Sequence, residues 1–451
     1  MRKALMGIIL GVLLLTTVGC GGKTNNSTTT SSNISTPIKQ TIEQYFNQYF
    51  DAEKVDVGNT LNYTKMSNNI LASNEDTQLI ETFRETELQQ KKLFKVGMKS
   101  YLYKINYGKC TVNGDETTVT LTLDLDFQIQ DAPNNLKSAI HGVNYSFTLK
   151  NNGSNWLITQ MDSDLEEFVS FKNKIQKTMQ QNPTLSKTEA IYQVGCSRKS
   201  ELQTLYSASL NSASASNTQV SSPSTVVPQN NVTDNSFINQ SVYVSCKQYT
   251  YKPECAVKYA ETYYDVYTGN KSKAIFYVIN VDCTNFVSQC VWAGYTGFDP
   301  TKVSTAQNYI SKKIGMMYPD WYAGTGGGSS SWENVKGFFS YMITGKTVGP
   351  KVDSYKSGPN GADSRLDKSS ILPSEIKVGD VMQLYYDEEK GYDHSIIITG
   401  KEEGTDKYEK VYYSGHTNSR LNYPLIYIYN DRTYTGWRKL TPAATCYLKT
   451  N

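Results

Sequence analysis

Three residues in the second half of the chain have the types and settings needed for nucleophilic chemistry: Cys283, His394 and His416. Cys283 begins a stretch in which Phe286, Val287, Cys290 and Val291 share one helical face, so the sulfur is expected at a helix start. Unpaired N–H groups and the positive end of the helix dipole favour an anion there. A free thiol ionises near a pKa of about 8.5, and a helix N-terminus or a neighbouring imidazolium lowers that value. The thiolate can then attack a carbonyl carbon, with nearby N–H groups receiving the oxyanion. Asp282, immediately before it, either caps the helix or contacts substrate.

A base must come from a short supply, since the chain has only three histidines. His394 opens the apolar run Ser395-Ile396-Ile397-Ile398, a strand that would hold its imidazole rigidly at a sheet edge. Val378-Gly379-Asp380-Val381-Met382-Gln383-Leu384 reads as the paired strand before it. His416 follows the next strand, in Ser414-Gly415-His416-Thr417-Asn418, where it is expected beside His394 and fixing its tautomer. Ser414 and Asn418 are the competing candidates for that third place. His141 stands alone in the first half and reads as scaffold. Cys283 as a structural thiol is the bland alternative. Zinc held by Cys283, His394 and His416 is another, although no close-spaced ligand pair supports it; no metal or cofactor is expected.

Asp282-Cys283-Thr284-Asn285-Phe286-Val287-Ser288-Gln289, then Asp393-His394-Ser395-Ile396 after Gly379-Asp380-Val381, then Ser414-Gly415-His416-Thr417, resemble the putative amidase domain family. That family is a branch of the papain-like cysteine hydrolases of the NlpC and CHAP type. The resemblance covers about Lys258 to Trp437. It implies Cys283 as nucleophile, His394 as general base and His416 as third member. It also implies Tyr277 as an aid to the oxyanion, and Trp332, after the Gly/Ser-rich loop 324–331, as a lining of the cleft.

The elements around this constellation divide the chain. Residues 241–451 form the expected hydrolase domain, α+β and papain-like. Ahead of it, residues 37–182 carry helical periodicity from Pro37 and again from about Glu75. Period-two alternation follows, clearest at Val119, Leu121, Leu123, Leu125, Phe127 and Ile129. Asn113-Gly114 and Asn152-Gly153 mark hairpin turns. Helices followed by an antiparallel meander make an α+β domain, NTF2-like by analogy of architecture, and no catalytic constellation falls within it. Residues 183–240 read as a helix to about Tyr206 followed by a Ser-rich linker.

The N-terminus reads as an address. Arg2 and Lys3 precede a short apolar run, and Thr17-Val18-Gly19-Cys20 resembles a lipobox, which implies a signal peptide over 1–20, a lipid on Cys20 and a membrane-anchored, extracytoplasmic protein. Residues 21–36 would be a flexible tether. The eight cysteines are compatible with disulfides in that compartment; leaving aside Cys20 and Cys283, six remain, pairing or free, with Cys246 and Cys255 near enough in sequence to join. A net charge of +3 without a Lys/Arg block gives no electrostatic case for nucleic acid. Such a location makes cell-wall peptide the expected substrate. A non-catalytic lipoprotein that binds wall or a partner is the alternative.

Overall fold

The computed structural model describes residues 29–31, 34–54, 64–133, 136–214, 246–344, 346, 348–358, 364–416, 418–431 and 433–450. The expected signal peptide, Cys20 and most of the expected linker lie outside these. The chain is mixed α/β and α+β in arrangement.

The first half begins with a short strand β1 (Thr29–Ser31), paired with Cys110–Val112, so the end of the expected tether is in fact part of a sheet. Two helices follow, α1 (Thr36–Glu53) and α2 (Glu75–Phe94). Pro37 sits at the first turn of α1, where its missing N–H costs nothing. Asn74 caps α2 by accepting from the Thr77 N–H at 2.9 Å. An antiparallel meander comes next: β2 (Met98–Asn113), β3 (Glu116–Ile129), β4 (Lys137–Asn151) and β5 (Trp156–Ser163). The alternating apolar residues of β3 are buried, as period two requires. Phe46 and Phe50 of α1 pack on Tyr103, Tyr145 and Phe147 of the sheet. Two further helices, α3 (Glu166–Gln181) and α4 (Lys187–Ser214), complete this half. The last of these runs eight residues beyond the expected helix end at Tyr206. It packs on α2 and α3, which fixes it to the first half.

The second half carries α5 (Pro253–Tyr263), α6 (Cys283–Thr296), α7 (Val303–Ser311), α8 (Ser330–Glu333) and α9 (Val335–Ile343). Its strands are β6 (Cys246–Thr250), β7 (Val352–Lys356), β8 (Val381–Tyr385), β9 (Tyr392–Lys401), β10 (Val411–Gly415), β11 (Arg420–Pro424), β12 (Gly436–Pro442) and β13 (Thr445–Lys449), with α10 (Ile426–Asn430) between β11 and β12. Every residue of α6 from Cys283 to Tyr295 is buried, not only the apolar face that the spacing predicts. A helix enclosed on all sides gives Cys283 a rigid support.

The two halves share one sheet, in the order β1-β2-β3-β4-β11-β10-β9-β8-β12-β7, with β5 on β4. This follows from the length of β4. Its second part, Tyr145–Asn151, pairs with β5, which leaves the edge of its first part open. Ala139 and Ile140 take Leu421 and Arg420 of β11 as partners there. Ser138 Oγ donates to the Asn422 carbonyl at 2.7 Å, and Asn422 Nδ2 to the Lys137 carbonyl at 2.9 Å. One apolar core accordingly contains residues from both halves, from Ile38 and Phe83 to Tyr427 and Trp437.

Candidate active site

Cys283 and His394 are brought together where the start of α6 meets the start of β9. Antiparallel pairing with β8 sets Leu384 against His394 and Gln383 against Ser395. The thiol lies 3.8 Å from Thr284 Oγ1 and 4.0 Å from the Asp393 carbonyl, and the His394 side chain and the Ser395 backbone both act on its ionisation. Burial alone would push the thiol pKa up. The charge of His394, foremost, with the His394 side chain, the Ser395 backbone and the Thr284 hydroxyl, outweighs burial, and the net direction is down. Cys290, two turns further into the same helix, shows the reverse: enclosed without such partners, its thiol is pushed far above the ordinary value.

A buried polar network joins the two elements beside this pair. Thr284 follows the cysteine and Ser395 follows the histidine, and their hydroxyls meet at 2.9 Å. Gln383 Nε2 donates to Ser395 Oγ at 3.2 Å and to the Val335 carbonyl at 3.0 Å. Its Oε1 accepts from Arg438 Nε at 2.8 Å, and the Arg438 guanidinium lies between the rings of Phe339 and Tyr392. Helix start and strand start are thus tied together one residue away from the reacting groups. Sequence reasoning missed Thr284, Ser395 and Gln383 as site residues, although two of them stand beside the motif residues it chose.

His416 does not sit on His394. Its Nδ1 pairs with Asp282 Oδ2 at 2.6 Å, and its Nε2 lies 3.1 Å from the Tyr263 carbonyl, so both ring nitrogens are occupied. Both partners are acceptors. The ring stacks on Phe286, 3.9 Å between centroids, and is fully buried. The expectation that His416 fixes the base tautomer is therefore corrected: it holds Asp282. The zinc set Cys283, His394 and His416 does not assemble for the same reason. The competing candidates are also engaged elsewhere, Ser414 with Thr399 and the Asn422 N–H, and Asn418 with the backbone of residues 164 and 166.

Asp282 has both carboxylate oxygens engaged by partners inside the fold, which leaves neither for substrate, and its side chain does not cap α6. Its Oδ1 accepts from the Ile279 N–H at 3.0 Å and from Asn285 Nδ2 at 2.7 Å, bracing the turn that enters the helix. Trp332 is wholly buried, packed on Trp321 and Phe276, with its indole N–H donating to Asn285 Oδ1 at 2.8 Å. It supports the helix start from below instead of lining a cleft. Tyr277 is half-buried, and its hydroxyl proton is given to Glu333, which also accepts from the Gly328 N–H at 2.7 Å. A phenol has one proton to donate, so the expected oxyanion role does not fit this arrangement. Gly328 is required there, since a Cβ would meet the Tyr277 hydroxyl and the Tyr322 carbonyl at 2.7 Å. The oxyanion donors that remain are the first N–H groups of α6, which have no partner within the helix.

Among the described residues no group of three His, Cys, Asp or Glu side chains is arranged to hold a metal ion, and no helix is long and apolar enough to cross a membrane. Among the described residues no cysteine forms a disulfide, so the local Cys246–Cys255 pairing is not made.

No solved structure matches the chain. The Bacillus subtilis (strain 168) protein described as "Uncharacterized protein YjcM" is 26% identical over 197 residues, 42% of this chain and 36% of that protein's own length. Residues 250–438, which contain Cys283, His394 and His416, match the family described as Putative amidase domain, and an amidase-like hydrolase activity is what that match indicates.

Proposed function

We propose that this chain is a cysteine hydrolase of amide bonds, with a papain-like catalytic domain behind an NTF2-like module. The observation that carries this reading is the placement of Cys283 at the first residue of α6 against the start of β9, where His394 stands and the Thr284 and Ser395 hydroxyls meet at 2.9 Å, with the charge of His394 drawing the thiol pKa down. In the mechanism the Cys283 thiolate adds to the amide carbon, and the α6 N–H groups receive the oxyanion. The C–N bond breaks as the imidazolium of His394 gives its proton to the leaving amine, leaving a thioester. Water then adds with His394 taking its proton, the C–S bond breaks, and the acid and the free thiol are released.

The residues before the described structure support an extracytoplasmic setting, with a signal peptide over 1–20 and a lipid on Cys20. Such a location faces the cell wall, so peptide amide bonds of peptidoglycan are the proposed substrate. The test is to incubate the full chain and Cys283→Ala with purified wall and to identify released fragments by mass spectrometry. New amine and carboxylate ends are expected with the parent protein alone. Equal release by both proteins would rule out the cysteine mechanism, and release by neither would rule out the substrate. Labelled fatty acid should enter the parent protein and not Cys20→Ala.

A further inference from the structure

We infer that Glu166, from the first half of the chain, is a positioning residue for the amide hydrolysis proposed above, acting on His394 through the ring of Tyr434. The inference rests on that reading and adds a residue from outside the segment that matches the amidase family.

His394 is half-buried at a strand start, and such a side chain can swing unless a wall limits it. The Tyr434 ring lies nearly parallel to the imidazole, with centroids 6.1 Å apart and planes 20° apart. Tyr434 is itself fixed. Tyr386 meets its ring edge-on, and its hydroxyl donates to Glu166 Oε1 at 2.5 Å. Glu166 is the first residue of α3, and three further contacts set its position. Its N–H donates to Asn418 Oδ1 at 3.1 Å, and its second oxygen lies 3.5 Å from Arg420 Nη2. One turn further along α3, Ser170 Oγ meets Thr433 Oγ1, the neighbour of Tyr434, at 2.7 Å. The loop beside the catalytic histidine is therefore shaped by a helix from the other half of the chain. Tyr434 is only 6% exposed, so its hydroxyl depends on Glu166 instead of water.

The charged and titratable groups facing this unit are Cys283 on α6, Glu166 and Glu167 on α3, Arg420 on β11, and Asp431 and Tyr386 on the flanking loops. Of these, Cys283 alone is the reacting group, and its ionisation reports how well His394 is held against it.

The experiment uses the full chain and reads alkylation of Cys283 by iodoacetamide between about pH 4 and about pH 10, with peptide mapping to exclude other thiols. Tyr434→Phe keeps the ring and loses the bond. Glu166→Ala loses the acceptor, and Glu166→Gln restores one. Tyr434→Phe and Glu166→Ala should raise the ionisation midpoint of Cys283 and slow its alkylation at neutral pH by about ten-fold, the worth of one hydrogen bond to a charged group. Glu166→Gln should stay close to the parent protein. If Glu166→Ala does not fold, Tyr434→Phe decides. A depressed midpoint in the parent protein that persists unchanged in Tyr434→Phe overturns this inference and leaves the hydrolase reading standing. A parent protein with no depressed midpoint removes both.

Discussion

Replacing His416 separates a catalytic third member from a structural ion-pair partner. In His416→Ala the carboxylate of Asp282 loses the partner on Oδ2, while Oδ1 keeps the Ile279 N–H and Asn285 Nδ2. The side chains of His416 and Asp282 are 0% and 1% exposed, so bulk solvent does not reach the carboxylate in the parent protein and the lost bond is met only by water that enters the space the ring leaves. Breaking a buried pair by removing one partner costs about 3–5 kcal/mol, and the two surviving bonds to Oδ1 place this case near about 3 kcal/mol. Losing the ring stacked on Phe286 adds a cavity term of about 1–2 kcal/mol. The expected total is about 4 kcal/mol, read as a fall in unfolding free energy in urea by tryptophan fluorescence. Asp282→Asn should lose stability by itself, and the double variant should be more stable than the sum of the two losses by about 1–3 kcal/mol, because the two residues are in direct contact. A His416→Ala protein within about 1 kcal/mol of the parent, yet slowed about 100-fold in Cys283 alkylation, would refute this reasoning and return His416 to the catalytic role.

Three other outcomes follow from the same geometry. The rate of Cys283 alkylation should rise with pH to a midpoint below that of a free cysteine and should fall as pH drops through it, because the pKa is lowered by the neighbouring His394; Cys290 should stay unmodified, which peptide mapping checks. Ser395→Ala or Thr284→Val removes the hydroxyl pair that ties the dyad backbones, and each should lower kcat by about 10–100-fold with little change in KM and an unaltered circular dichroism spectrum. Glu87 lines a cavity of about 50 Å³ that Tyr423 closes from the second half; burial foremost, then the charge of Glu167, pushes its pKa from 4.5 up to about 7. Between those values the folded chain holds a proton that the unfolded chain releases, so stability falls as pH rises through that window. Glu87→Gln should therefore stabilise the protein by up to about 3 kcal/mol at pH 8 and not at pH 4, as urea titrations at the two values will show.

What could be read in the sequence was what depends on short separations. Cys283 at a helix start follows from the 3.6-residue spacing of Phe286, Val287 and Cys290, and His394 at a strand start follows from the isoleucines after it. The roles given to His416, Tyr277 and Trp332 were misread for a common reason. Each carries a group that could serve chemistry, but which partner it meets is decided by packing between distant elements. His416 reaches Asp282 across 134 residues, and Trp332 reaches Asn285 across 47. One signal was available: Asp282, Asn285 and His416 are polar residues in or beside apolar elements, and buried polar groups must satisfy one another. Glu166 gave no signal at all, since its bond to Tyr434 spans 268 residues and depends on how the two halves meet.

That meeting is itself a specified structure. The first part of β4 and the outer edge of β11 would each present unpaired N–H and C=O groups if the halves were apart, the condition that invites aberrant pairing. Joining them satisfies both edges and also buries Arg420, whose guanidinium meets both oxygens of Glu167 at 2.8–2.9 Å and the Tyr413 hydroxyl at 2.7 Å. A buried ion pair adds little net stability, yet it penalises any arrangement that leaves one partner alone. A shift of β11 by one residue would send Arg420 to the opposite face, away from Glu167. The pairing at Arg420 and Leu421 therefore fixes the register of the sheet and, through α3, the distance from Glu166 to the loop beside His394. On the inference drawn for Glu166, the first half of the chain is then a structural condition for the geometry of the proposed site.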